Sequence, residues 1–201
     1  MFLIRQLCIS TLFFVYFTPA YSADVYYGFR FGMTQFDSDI SATTGTSRLE
    51  ENDFGYKFYM GSPFSESTAI ELFYTDYGEV TLGGHAGDTF IKNATSFSFL
   101  NNDSELSSGL SSLGINGVYK YSLGKTQSLI GKLGLVGWKY NFKIQSPADN
   151  ISNSENNYDV YWNIGFQQNL GKNLSLLFDY EMLETDDLDL SALGFAIQIN
   201  F

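Results

Sequence analysis

The chain has 201 residues, of which 44% are hydrophobic and 17% aromatic, and it carries a net charge of −11 at pH 7. So acidic a balance excludes nucleic acid as a partner, because phosphate contacts need clustered Lys and Arg, and it excludes simple attraction to anionic lipid. The single cysteine, Cys8, falls in the opening segment, so the chain beyond it has no disulfide, no thiolate metal site and no thiol nucleophile.

The first predicted element is a targeting segment. Arg5 is the only charge ahead of an apolar run from Leu7 to Phe17, and the small residues Ala20 and Ser22 suit signal peptidase. Residues 1–22 are therefore expected to be a signal peptide cleaved after Ser22, leaving residues 23–201 as one domain. No later apolar run reaches the length of about 20 residues that a membrane-spanning helix needs.

Beyond Ala23 the chain alternates large apolar and small or polar residues, the period of a strand with two different faces. In the first predicted strand Val25, Tyr27, Phe29, Phe31 and Met33 oppose Gly28, Arg30, Gly32 and Thr34. In the second, Phe54, Tyr56, Phe58 and Met60 oppose Gly55, Lys57, Tyr59 and Gly61. In the third, Ile70, Leu72 and Tyr74 oppose Glu71 and Phe73, and in the fourth Leu113, Ile115, Tyr119 and Tyr121 oppose Gly114, Asn116 and Lys120. The fifth begins with Leu129, Leu133 and Leu135 against Lys132 and Gly134, but Trp138, Tyr140 and Phe142 fall in the other phase, which predicts a bulge near Val136–Gly137. The sixth sets Val160, Trp162, Ile164 and Phe166 against Asp159, Asn163, Gly165 and Gln167. The seventh sets Leu174, Leu176, Phe178, Tyr180 and Met182 against Ser175, Asp179 and Glu181. The eighth sets Leu193, Phe195, Ile197, Ile199 and Phe201 against Gly194, Ala196, Gln198 and Asn200.

About eight strands of roughly ten residues, at about 3.3 Å per residue and a tilt near 40°, span roughly 25 Å, the apolar depth of an outer-membrane barrel. Short links near Ser62–Ser65, Gly124–Thr126 and Gly171–Asn173 alternate with longer ones, Asp37–Asn52, Gly78–Ser108, Lys143–Asn157 and Glu184–Asp189. That alternation is expected of short periplasmic turns and long extracellular loops. The composition of the faces sets their direction. A narrow lumen has no room for so many rings, whereas glycine leaves space and opposite charges can pair. The predicted fold is an all-β, antiparallel, up-and-down transmembrane barrel. Its predicted lumen charge network comprises Arg30, Lys57, Glu71, Lys120, Lys132, Asp159, Asp179 and Glu181. Tyr26, Tyr27, Tyr119, Tyr121, Trp138, Tyr140, Tyr158 and Trp162 near strand ends are expected to form interfacial girdles.

The closing alternation Leu193, Phe195, Ile197, Ile199, Phe201 resembles the C-terminal signal that outer-membrane barrels present to their assembly machinery. With the signal peptide, the alternating strands and the charged lumen, residues 23–201 resemble the OmpA/OmpX-type barrel family. The resemblance implies an outer-membrane location in a Gram-negative bacterium and contact with membrane lipid, lipopolysaccharide and the barrel assembly machinery. It also implies a non-enzymatic structural or adhesion role toward a host or phage surface, with no cofactor. A narrow porin-like channel and a lipid A-modifying enzyme are the alternative readings. The only histidine, His85, lies in Gly83-Gly84-His85-Ala86-Gly87-Asp88, without the His-x-Ser pairing of lipid A deacylase barrels. Nor is there a nucleotide loop or zinc motif. Glu184, Asp186, Asp187 and Asp189 form an acidic loop whose spacing is not that of an EF-hand and which is expected to be solvated, although a divalent ion could bridge it to lipopolysaccharide phosphates.

Overall fold

The computed structural model describes residues 25–38, 40–42, 47–92, 94–147, 150–185 and 189–201. The expected signal peptide, with Cys8, and Asp186 and Asp187 of the acidic loop lie outside the described residues. The strands in chain order are β1 (Tyr26–Asp37), β2 (Ile40–Ala42), β3 (Arg48–Glu50), β4 (Asn52–Pro63), β5 (Thr68–Gly84), β6 (Thr89–Lys92), β7 (Thr95–Ser98), β8 (Ser104–Ser122), β9 (Gln127–Gln145), β10 (Asn150–Asn169), β11 (Leu174–Leu183) and β12 (Asp189–Asn200).

Strands β1, β4, β5, β8, β9, β10, β11 and β12 pair antiparallel with their neighbours, and β12 returns to pair with β1, so the sheet closes on itself. Closure satisfies the backbone without leaving an edge in hydrocarbon, where each unpaired N–H or C=O would cost several kcal/mol. The alternation read from the sequence is the one the barrel uses. Phe29, Phe31, Met33, Phe58, Leu72, Leu113, Leu133, Val160, Ile164 and Phe178 face outward and are exposed, while Arg30, Lys57, Glu71, Lys132, Asp179 and Glu181 point inward and are buried. Rings pack side by side on the outside, as Phe29 and Phe58 do with centroids 4.8 Å apart.

Inside, glycines make room for tyrosine and phenylalanine rings from the next strand. Gly28 faces Tyr59, Gly61 faces Tyr26 and Gly114 faces Phe73, each as a cross-strand partner. A side chain at any of these glycines would run into that ring. The interior is thus filled by side chains, as expected for so narrow a barrel.

Three expectations are corrected. No bulge occurs near Val136–Gly137: β9 keeps an unbroken register with both β8 and β10 from Ser128 to Gln145. Trp138 is buried because, from Val136 outward, the strand's large residues occupy the lumen phase while Gly137, Lys139 and Asn141 take the other. The register shift lies instead in β5, between Asp76 and Glu79, where Gly78 adopts a φ of 85° and Asp53 Oδ2 accepts the Glu79 N–H at 2.8 Å. Second, Tyr26, Trp138 and Tyr140 are not girdle residues. All three point inward, Tyr26 to Glu71, Trp138 to Asp159 and Tyr140 to Ser108, whereas Tyr27, Tyr119, Tyr121, Tyr158 and Trp162 are on the outer surface. Third, Gly78–Ser108 and Lys143–Asn157 are not loops throughout. Much of both is strand, which carries β5, β8, β9 and β10 far past the apolar band.

Candidate functional site

Two regions hold the chemistry: the lumen and the sheet that rises from one side of the barrel. The lumen is built by residues on the inward phase of β1, β4, β5, β9 and β11. Arg30 Nε donates to Asp179 Oδ1 at 2.6 Å and Arg30 Nη2 to the Ala192 carbonyl at 3.1 Å. Lys57 Nζ forms an ion pair with Glu181 and donates to the Tyr161 hydroxyl at 2.9 Å, while that hydroxyl donates to Glu181 Oε2 at 3.1 Å. The same ammonium sits 4.6 Å from the Phe73 ring centre and 4.4 Å from that of Tyr161. Arg30 Nη1 approaches Glu181 Oε1 at 3.7 Å, which joins the two pairs into one buried layer.

Nearer the periplasmic turns, Lys132 Nζ donates to both oxygens of Glu71, at 3.1 and 2.8 Å, and the Tyr26 hydroxyl donates to Glu71 Oε1 at 2.9 Å. On the outer side come the buried hydroxyl-bearing residues Thr34, Tyr77 and Ser112. Six of the eight predicted lumen charges are therefore brought together as buried ion pairs. The other two are not. Asp159 lies higher, where its Oδ2 accepts the Trp138 Nε1–H at 2.7 Å, and Lys120 lies at the periplasmic mouth, half-buried and in no ion pair among the described residues. Their alternation phase was legible; their height along the barrel was not.

The sheet above the membrane was missed by the sequence reading. β8 and β9 have 19 residues each and β10 has 20, against 10 in β11 and 12 in β12. Twenty tilted residues cover roughly 50 Å, about twice the apolar band. The outward apolar residues end in two neighbouring rows, Ile115–Leu135–Val160 and Leu113–Gly137–Tyr158, and the row Ser111–Lys139–Asn156 continues the same face. The polar ends of β5, β8, β9 and β10 therefore form a wall in water. One edge is covered where β3 pairs with Thr81–Gly83 of β5. The other is open: β11 pairs with β10 only from Tyr161 to Asn169, so residues 150–160 have a partner strand on the β9 side alone among the described residues.

The β5–β8 hairpin is crowned by a sheet of β2, β6 and β7, with Leu82, Phe90 and Phe99 buried beneath it. His85 lies here, half-exposed, with Nδ1 3.5 Å from Asp103 Oδ1 and its backbone N–H donated to Asp88 Oδ2 at 3.0 Å. Leu193, Phe195, Ile197 and Ile199 form the outward stripe of β12, and Phe201, just past its end, packs on Tyr27 at 5.8 Å.

The family described as the OmpA-like transmembrane domain matches residues 20–189. Among solved structures, the chain is similar to Ail, the attachment invasion locus protein of Yersinia pestis, at 15% identity over 90% of this chain and 100% of that one, with a TM-score of 0.57. It is similar to the N-terminal β-barrel domain of Pseudomonas aeruginosa OprF at 10% identity over 89% and 98%, with a TM-score of 0.54. The outer membrane protein AlkL matches at 15% identity over 91% and 94%, with a TM-score of 0.50. No curated protein matches the sequence. The match over most of the chain, on a closed barrel with an apolar outer face and an ion-paired lumen, makes this protein a member of the OmpA-like transmembrane domain family, an eight-stranded barrel of the outer membrane.

Proposed function

We propose that the protein is a non-enzymatic binding barrel of the cell surface, in which the wall of β8, β9 and β10 receives an external partner at the open edge of β10. The observation that carries this reading is the run of residues 150–160, whose backbone has no partner strand on one side among the described residues. An open edge is a template for another strand, and proteins usually blunt it with proline, lysine or a bulge. Asn150-Ile151-Ser152-Asn153-Ser154-Glu155-Asn156-Asn157-Tyr158-Asp159-Val160 has none of these. The partner is an extended protein segment, and Glu155 and Asp159 favour a basic one.

Ail of Yersinia pestis has also been solved with the heparin analogue sucrose octasulfate. A polysulfated ligand does not transfer here, because Asp53, Glu79, Asp103, Glu105, Glu155 and Asp159 outweigh Arg48, Lys92, Lys139 and Lys143 on the outer part of the barrel. Lys139 points outward in the first polar row above the apolar band, a height suited to lipopolysaccharide phosphates. The outward stripe from Leu193 to Phe201 is the proposed contact for the barrel assembly machinery, and residues 1–22 the proposed export signal.

Adherence of cells displaying the barrel to cultured epithelial cells tests the edge. Asn153→Pro and Ser154→Pro differ by one residue, so one of them removes an N–H from the open edge and the other from the β9 ladder. Adherence is expected to fall several-fold in the edge variant while the barrel keeps its heat-modifiable mobility in electrophoresis. Undiminished adherence in both variants, together with undiminished adherence after deletion of residues 85–103, would refute the assignment.

A further inference from the structure

The barrel interior opens at its periplasmic end into a cavity of about 490 Å³. Its volume is that of a small-molecule site. The cavity is blind, since the Lys132–Glu71 pair and the Tyr26 hydroxyl on it close the inner end, with the Arg30–Asp179 and Lys57–Glu181 layer beyond. A blind cavity binds rather than conducts.

Its charges are unbalanced. Glu71 is neutralised by Lys132 at 2.8 Å. Lys120 lines the cavity half-buried, on the inward phase of β8, with no carboxylate in ion-pair distance among the described residues; only its backbone N–H is engaged, with the Ser67 carbonyl at 2.8 Å. Lys172, in the turn between β10 and β11, and Glu66, in the turn between β4 and β5, both stand exposed at the mouth and offset each other in charge, which leaves Lys120 as the surplus. A partly desolvated ammonium without a counter-ion is costly to hold, and an incoming anion recovers that cost. The walls add fixed amides: Gln167 Nε2 donates to Asn169 Oδ1 at 2.8 Å on β10, and Gln198 Nε2 donates to Asn200 Oδ1 at 2.8 Å on β12.

We propose that this vestibule binds the terminal carboxylate of a short peptide-like solute of the periplasm, with Lys120 as its counter-ion and the Gln167 and Gln198 walls meeting the amides of its chain. A monoanion matches the one lysine of the cavity left without a counter-charge. A phosphate dianion would face the Glu71 carboxylate in the same cavity with too few cations, and Lys lacks the bidentate fork that Arg offers phosphate. The site is separate from the outer edge of β10 and does not depend on the reading given for it.

The test uses the isotope-labelled barrel in lipid nanodiscs, titrated with N-acetyl-alanyl-alanine, with the same dipeptide as its C-terminal amide, and with inorganic phosphate. The free acid is expected to shift the resonances of Lys120, Gln167 and Gln198 saturably. The amide is expected to bind about tenfold more weakly, the scale of one charge-assisted contact. Lys120→Gln is expected to lose a similar factor for the acid and little for the amide, with barrel folding checked by heat-modifiable mobility. Equal affinity for acid and amide in the unaltered protein would overturn the proposal, as would shifts confined to extracellular residues or an unchanged affinity in Lys120→Gln. Tighter binding of phosphate than of the dipeptide acid would overturn the carboxylate assignment.

Discussion

At the scale of single residues, the lumen is held by charges that tolerate burial only because each is paired. Taking one partner from a buried ion pair strands the other, at a cost of about 3–5 kcal/mol, whereas removing both is often nearly neutral. Lys57 and Glu181 are both buried and share Tyr161. Lys57→Met is therefore expected to destabilise the barrel by about 3–5 kcal/mol. Lys57→Met combined with Glu181→Gln is expected to cost clearly less than the sum of the single changes. Urea unfolding in micelles, followed by tryptophan fluorescence, measures all three, and additive losses would mean that the two side chains do not act on each other. The inward glycines belong to the same logic. They are small because Tyr59, Tyr26 and Phe73 occupy the space beside them, so a methyl group there competes with a ring rather than filling a void.

At the scale of elements, the decisive contrast is between the two halves of β10. Tyr161–Gln168 is paired on both sides, and residues 150–160 on one among the described residues. Amides bonded to a neighbouring strand exchange with solvent only when that strand opens, while amides on an open edge exchange at once. Along residues 150–160, alternate amides are expected to exchange orders of magnitude faster than their neighbours, whereas Tyr161–Asn169 should be protected throughout. Hydrogen exchange in nanodiscs reads this directly, and uniform protection across both halves would mean that the edge is covered. The polar strand extensions were hidden in the sequence for a physical reason. Residues such as Asn153, Ser154, Glu155 and Asn156 are exposed on both faces of the strand, so nothing demands an apolar face, and the two-residue alternation that marks a strand at a lipid boundary fades there.

At the scale of the whole molecule, the outer face and the filled lumen set the behaviour. Exposed Phe, Leu and Tyr side chains encircle the barrel, an apolar surface far larger than a water-soluble protein presents. The ion-paired layer of Arg30, Lys57, Asp179 and Glu181, with Phe73 and Tyr161 packed against it, is buried across the middle of the lumen. Planar bilayers containing the purified protein are expected to show no large, steady conductance. A stable open level would mean that this layer parts readily, and it would favour the channel reading over the surface-binding one.

The sequence by itself determined, for most strand residues, which face lipid and which face the lumen, with Tyr26, Trp138 and Tyr140 as the exceptions. A strand between hydrocarbon and a packed interior must alternate at every residue, and one slipped position would bury a ring or expose a charge to lipid. It also exposed the charged residues of the lumen and the outward stripe that closes the chain. Only the tertiary structure decided how high along the axis each inward residue sits, because neighbouring strands slide past one another by amounts their alternation does not record. That stagger seats Lys57 against Glu181 and Arg30 against Asp179, leaves Lys120 outside every ion pair among the described residues, and lifts one side of the barrel into a wall with an open edge.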